Sequence, residues 1–277
     1  MLVNLNGVLP MAKKNKYGVG LFNTINLEYA KGVIAAAEET GSPVIIGSAE
    51  IFLGYSTLEE LANMLIPMAK KATVPVVIHY DHGLTEEKVK EAIDLGFTSV
   101  MYDCSTLPYE ENVAKVKEIV EYAHARGVTV EGELGHVGTI ATGDESIYTD
   151  PLQAKDYVER TGVDCLAVAI GSAHGLYKSK PKLALDVLSN IANEVSVPLV
   201  LHGGSGLTDD DFRNSIANGI SKVNIFTDID VAAEKAAYEG YGENVGYTAV
   251  MNSVKEAVKQ ATIKKMNIFG SNKWSSL

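Results

Sequence analysis

Three of the chain's six histidines each close a different apolar run: His82 follows VVIHYD, His174 follows CLAVAIGSA and His202 follows VPLVL. Three imidazoles brought to one place make a site for a divalent metal, above all zinc, with one or two coordination positions left open. An open position lets a bound metal polarise a substrate oxygen. Spacing alone leaves a second reading standing, three unrelated loop histidines, because no short metal motif such as His-Glu-x-x-His is present. Asp81 adjoins His82 and is placed either to support a ligand or to exchange a proton with substrate. Asp103 and Glu133 close two further runs and offer either additional ligands or acceptors for loop backbone. Of the other histidines, His79 lies within a run and reads as core, His124 lies in YEENVAKVKEIVEYAHARG and reads as solvated, and His136 stays unassigned.

Two turns offer a second kind of chemistry. His202-Gly203-Gly204-Ser205-Gly206 leaves one apolar run and leads into a helix pattern; Asn224-Ile225-Phe226-Thr227, preceded by Lys222, does the same after the next. Backbone amides at such turns and at helix N-termini bind phosphate, with Ser205 and Thr227 as extra donors. A metal beside a phosphate site points to an enzyme acting on a phosphorylated, oxygen-rich metabolite.

These side chains meet only if the elements between them bring the run ends together. The candidate strands are Tyr17–Phe22, Pro43–Gly47, Pro75–Tyr80, Ser99–Tyr102, Val128–Glu133, Cys165–Ile170, Pro198–Leu201 and Lys222–Phe226. Each is short and mostly apolar, as parallel strands covered by helices are. Between them lie helix patterns with recognisable ends: Thr57 before Leu-Glu-Glu, Asp150 before Pro151, Thr208 before three aspartates, and glycines 41 and 127 as stops. Eight strands alternating with helices and no linker predict an α/β fold, a (β/α)8 TIM barrel spanning 1–277 as a single domain with a C-terminal helical extension over roughly 247–266. A doubly wound sheet shares the local pattern. In a barrel the strand C-termini carry the chemistry. Read in order, those ends supply Asn23, Glu50, Asp81 with His82, Asp103, Glu133, His174, His202 and Asn224.

Composition narrows the classes. The chain has 277 residues, 46% hydrophobic and 21% charged, enough for a large core without staples. A net charge of −11 argues against nucleic acid or an anionic membrane as partner. Cys104 and Cys165 form no Cys-x-x-Cys pair, and the first twenty residues have no signal-peptide pattern. Both facts suit a cytoplasmic protein with reduced thiols.

The motifs IHYDHG, SVMYDCS, VEGELG, AVAIGSAHG, LVLHGGSG and KVNIFTD, in this order, resemble the class II fructose-bisphosphate and tagatose-bisphosphate aldolases; GLFNTINLEYAKGVIAAAEETGSPVIIG and KKMNIFGS extend the likeness toward both ends. The resemblance implies a catalytic zinc on His82, His174 and His202, with other divalent metals accepting the same ligands. It implies Glu133 and Asp103 as acidic residues near the metal and Asp81 as the general acid/base at the hydroxyl beside the cleaved bond. Gly175, Gly203, Gly204, Ser205, Asn224 and Thr227 would line a site for dihydroxyacetone phosphate, together with Asn23, Lys222, Ile225 and Phe226. It further implies a helper monovalent cation, a sugar-phosphate substrate, and a homodimer or homotetramer.

Departures from the family pattern are informative. The family's Gly-Gly-x-Glu-Asp loop, whose glutamate exchanges a proton, falls where this chain reads HVGTIATGDESIYTDP, with Thr139 to Ala141 at the motif itself; Asp144, Glu145 and His136 are substitutes. Arginines that bind a second phosphate have no counterpart in EGYGENVGYTAVMNSVKEAV, and the chain has only Arg126, Arg160 and Arg213. Phe226 stands where the family has small or acidic residues, and Ala49 where many members have a phosphate-binding serine. The reading is a zinc-dependent aldolase for a ketose phosphate without the second phosphate. A non-cleaving sugar-phosphate epimerase or isomerase, or a sugar-phosphate binding protein on the same scaffold, are the alternatives; product analysis separates them.

Overall fold

The computed structural model describes residues 1–137, 148–175 and 181–276. Among the described residues nine strands form: β1 Leu2–Val3, β2 Val19–Asn23, β3 Val44–Ala49, β4 Val76–Gly83, β5 Ser99–Tyr102, β6 Thr129–Leu134, β7 Cys165–Val168, β8 Leu199–Leu201 and β9 Ile220–Ile225. The last eight pair in parallel with their sequence neighbours, and β9 returns to β2, so the sheet closes into the expected (β/α)8 barrel. β1 is an addition that the sequence did not announce. Only two residues long, it pairs in parallel with the start of β4 below the barrel.

Ten α-helices among the described residues accompany the strands: α1 Leu9–Asn15, α2 Leu27–Thr40, α3 Leu58–Lys71, α4 Glu86–Asp94, α5 Tyr109–His124, α6 Pro151–Thr161, α7 Leu185–Glu194, α8 Asp209–Ala217, α9 Thr227–Gly242 and α10 Tyr247–Phe269. Their ends follow side-chain chemistry. Thr57 with Glu60, and Thr208 with Asp211, form reciprocal capping boxes, and Asp150 accepts from the Gln153 amide with Pro151 at the first turn. Gly41 stops α2 in the left-handed region at φ 64°; Gly127 is also left-handed but falls beyond Ala125, the residue that caps α5. α10 packs against α2, α9 and α8 and extends three residues past its expected end at residue 266. Among the described residues no helix is long and apolar enough to cross a membrane.

The apolar residues divide between two cores. Most lie between the strands and the surrounding helices, with Phe22, Val33, Ile46, Leu61, Ile78 and Val116 among them. A smaller core fills the barrel's lower interior, where Val19, Leu21, Ile45, Val77, Cys165 and Val200 meet Leu5, Val8, Leu9 and Ala12 of the N-terminal segment. That plug fills the bottom of the barrel, at the end opposite the strand C-termini.

Gly47 shows how tightly β3 and β4 are set. A Cβ at this position would lie 1.7 Å from the His79 carbonyl oxygen, a backbone atom that cannot rotate away. Gly47→Ala is therefore expected to destabilise the fold by about 3 kcal/mol, the upper part of the range for overpacking. Urea unfolding measures it, and a loss below about 1 kcal/mol would contradict this packing.

Candidate active site

The mouth of the barrel gathers the strand ends as their alternation requires. Residues two apart on a strand share a face, so His79 and Asp81, Glu131 and Glu133, and Lys222 and Asn224 form inward pairs, one member deep and one near the opening. β4 departs from simple alternation. Its register against β5 slips between Tyr80 and Gly83, and His82 adopts φ 45°, a left-handed conformation rare outside glycine. The bulge turns Asp81 and His82, adjacent in sequence, into the same mouth. A strained backbone at such a place is a recurring mark of functional sites.

The three histidines meet. Ring centroids lie 5.0 Å apart for His82 and His174, 4.6 Å for His82 and His202, and 5.9 Å for His174 and His202. One nitrogen from each lies within 4.8 Å of the others. Hydrogen bonds behind the rings settle which nitrogens face inward. His82 Nδ1 is 2.8 Å from Asp103 Oδ2, and His202 Nε2 is 2.8 Å from Glu131 Oε1. His82 Nε2, His202 Nδ1 and Glu133 Oε2 are buried with no hydrogen-bond partner. His202 Nδ1 and Glu133 Oε2 come within 3.0 Å of each other but out of hydrogen-bonding geometry. Buried polar atoms that converge without hydrogen bonds are costly. They fit a cation held by imidazole nitrogen and carboxylate oxygen, the donor set of a divalent metal such as zinc.

The two carboxylates that the sequence placed near the metal have different contacts. Glu133 turns an oxygen toward the convergence point. Asp103 is hydrogen-bonded to His82, its other oxygen accepting from the Ser105 amide at 3.1 Å and hydroxyl at 2.8 Å, and one atom each from His82, Asp103 and Glu133 lies within 4.8 Å of the others. His136 Nδ1 lies 3.3 Å from the Ser105 hydroxyl. Asp144, Glu145 and the Thr139 to Ala141 stretch lie outside the described residues.

Electrostatics follow from burial and neighbours. Burial alone would raise the Asp81 carboxyl, but the cationic forms of His82, Lys222, His202 and His79 outweigh it and leave the pKa at about 2. Its two oxygens accept from Asn23 Nδ2 and Asn224 Nδ2, each at 3.0 Å. Burial lowers His174 to about 3, with repulsion from the other two imidazoles adding to it. For His202 burial also acts downward, but the hydrogen bond to Glu131 and the charges of Glu131 and Glu133 raise it to about 10. Metal-free His202 therefore holds a proton at neutral pH that a metal must displace. Metal uptake is expected to release protons, with apparent affinity rising about tenfold per pH unit for one proton, up to pH 10 or so. Calorimetric zinc titration in two buffers of different ionisation enthalpy tests this; identical heats in both would contradict it.

Beside the histidines the pocket is walled by Asn23, Asp81, Gly175, Gly203, Gly204, Ser205 and the run from Asn224 to Thr227, with Ala49, Ile51 and Phe52 opposite. Gly203 has φ 64°, and a Cβ there would meet the Ala173 carbonyl oxygen at 2.4 Å, so this turn admits only glycine. Ser205 Oγ accepts from the Phe226 amide at 3.3 Å and joins the two glycine-rich and helix-leading turns. α9 starts at this wall with no side-chain cap on its N-terminus, while its first-turn Asp228 is paired with Lys265 and Asp230 with the Tyr29 hydroxyl. Amides there stay available to an anion.

Lys222 sits apart from the pocket-lining residues. Grouped by sequence with the substrate-binding residues, it lies fully buried below the pocket and does not line it. Its Nζ is 2.7 Å from Glu131 Oε2 and 2.8 Å from Asn224 Oδ1. Glu131 went unnoticed in the sequence, although its place two residues before Glu133 on one strand was the available signal. Glu50, another strand-end residue, ties loops together by accepting from the Tyr80 hydroxyl and the Leu84 amide, both at 2.7 Å. His79 is buried as expected, with Nδ1 2.7 Å from Ser99 Oγ, but its Nε2 has no hydrogen bond and lies 3.7 Å from Asp81.

Comparison with known proteins gives a consistent result. The family model described as fructose-bisphosphate aldolase class-II matches residues 3–273. A fructose-bisphosphate aldolase from Geobacillus stearothermophilus is 43% identical over 281 residues, covering 98% of each chain. One from Staphylococcus aureus strain Mu50 is 41% identical over 281 residues, again covering 98% of each. The crystal structure of the YdjI aldolase from Escherichia coli K12 superposes with a TM-score of 0.91 at 42% identity, covering 98% of both chains.

Proposed function

Because the chain belongs to the class II fructose-bisphosphate aldolase family, we propose that it is a zinc-dependent aldehyde-lyase. It reversibly cleaves a ketose phosphate to dihydroxyacetone phosphate and an aldehyde. The observation that carries this reading is the convergence of His82, His174 and His202, with unpartnered inward nitrogens on His82 and His202, beside an ionised, doubly held Asp81.

The three imidazoles, with Glu133 beside them, would hold a divalent ion, and its charge would stabilise the oxyanionic three-carbon fragment. The remaining work belongs to side chains and backbone. Asp81 accepts the hydroxyl proton as the adjacent carbon–carbon bond breaks and returns it in the condensation direction. Asn23 and Asn224 keep its oxygens aimed. Gly203, Gly204, Ser205, Thr227 and the open start of α9 hold one phosphate with neutral donors and helix dipole rather than side-chain charge.

The far end of the substrate carries no second phosphate in this reading. Arg126 pairs with Asp94, Arg160 with Glu110 and Asp156, and Arg213 with Asp209 and Asp210, all on outer helices. No lysine or arginine is among the described residues that wall the pocket, and Ile51, Phe52 and Phe226 stand there instead. A phosphate without a bidentate partner gains little from such a wall. Two buried, unpaired thiols, Cys104 and Cys165, are in keeping with a cytoplasmic enzyme. Exposed Tyr238, Tyr241 and Tyr247 around the α9–α10 turn are in keeping with a homo-oligomer.

The test is dihydroxyacetone phosphate release from zinc-loaded protein offered fructose bisphosphate, tagatose bisphosphate and a panel of ketose 1-phosphates. Release from at least one ketose 1-phosphate, with kcat/KM no lower than for fructose bisphosphate, is expected. Release from no sugar would remove the aldolase assignment. A kcat/KM for fructose bisphosphate more than about tenfold above every monophosphate, the worth of one charged hydrogen bond, would remove the monophosphate preference.

A further inference from the structure

Below the pocket lies a layer of charge that the cleavage chemistry does not touch. Lys222, Glu131 and His79 are fully buried there, in contact with His202 and Asp81 of the site itself. One atom each from His79, Asp81 and Glu131 lies within 4.8 Å of the others, a set that resembles a cation site. The cation is already part of the chain: the Lys222 ammonium, 2.7 Å from Glu131.

A buried ion pair is a poor way to gain stability, since well-packed apolar residues serve as well or better. Its value here lies in what each partner dictates to the next. Lysine only donates hydrogen bonds and a carboxylate only accepts them. Lys222 donates to Asn224 Oδ1, so the Asn224 amide must turn its NH2 to Asp81, where Nδ2 is 3.0 Å from Oδ1. Glu131, paired with Lys222, accepts from His202 Nε2 at 2.8 Å, so a proton is kept on Nε2 and Nδ1 is the nitrogen presented to the other two imidazoles, the one that a metal can deprotonate and bind. Two ambiguities of ordinary side chains, an amide that can flip and an imidazole with two tautomers, are thereby resolved by one ion pair.

We propose that Lys222 and Glu131 are positioning residues that fix the polarity of both halves of the site, the Asn224–Asp81 hydrogen bond on one branch and the inward nitrogen of His202 on the other. The inference rests on the aldolase reading for its Asp81 branch only.

Three full-length variants test it: Lys222→Met, Glu131→Gln, and the two combined. Each single change strands one buried partner and lowers the unfolding midpoint. The double change removes both charges together and recovers most of that loss. Function is expected not to follow. In Glu131→Gln and in the double variant, zinc affinity by chelator competition falls roughly 10–100-fold, and the visible band of the cobalt-loaded protein shifts. In Lys222→Met and in the double variant, kcat falls at least about tenfold while KM changes little, as for an interaction realised in the transition state.

A double variant that regains stability together with wild-type zinc affinity and kcat would overturn the proposal, because a merely structural pair predicts that recovery. Should Lys222→Met not fold, Glu131→Gln alone decides, and an unchanged cobalt spectrum with unchanged zinc affinity overturns it. If wild-type protein cleaves no sugar phosphate, the aldolase reading fails on that arm, while zinc affinity and the cobalt band still decide the His202 branch.

Discussion

Asp81→Asn is expected to lower kcat for ketose phosphate cleavage by about 10²–10⁴-fold, the contribution typical of a positioned acid/base, while bound metal stays at wild-type content. The carboxylate is buried, starts ionised, and is gripped on both oxygens by Asn23 and Asn224. Asparagine keeps the volume but cannot take a proton, and its NH2 would face an amide donor where an oxygen had accepted. The loss is therefore one of chemistry plus a local hydrogen bond, without a missing ligand. Coupled kinetics beside elemental analysis of the same preparation make the measurement. A kcat within tenfold of wild type at full metal content would exclude Asp81 as the proton acceptor.

His202→Ala is expected to act through the metal. Removing this imidazole deletes one of three nitrogen donors and leaves Glu133 Oε2 without its neighbour at 3.0 Å. The metal's charge stabilisation is worth several kcal/mol, so loss of it should lower the cleavage rate by about 10³-fold or more. A chelator should do the same to wild-type protein. The two differ in reversibility: added zinc restores the chelated wild type and leaves the variant inactive. Activity that survives exhaustive chelation, with the metal shown to be gone, would defeat the metal-dependent reading.

Much of this site could be read from the chain because the barrel maps strand ends onto one mouth. His82, His174 and His202 were visible as histidines closing apolar runs, and the runs themselves gave the eight barrel strands to within a few residues. What escaped was set by contacts across the barrel. Asp81 and His82 share the mouth only through the β4 bulge, which no single strand pattern reveals. The hydrogen bond between Asp103 and His82 Nδ1 joins two strand ends and could not be read from either run alone. Lys222 read as a phosphate partner because it precedes the phosphate turn by two residues, yet alternation along β9 sends its side chain into the barrel's interior, where Glu131 waits on a strand three places away in the sheet. β1 was missed since two residues carry no periodicity.

The rings of Phe52 and Phe226 touch at a centroid distance of 4.5 Å, one from the segment after β3 and the other from the turn that opens α9. Two stretches of chain that sit 174 positions apart are thus a single mechanical piece of the pocket rim. Diversification of substrate range, in nature or in a laboratory library, then has a preferred route: exchanges at 52 and 226 should arrive as matched pairs, and libraries that vary one loop at a time should return mostly poor variants where joint sampling finds good ones.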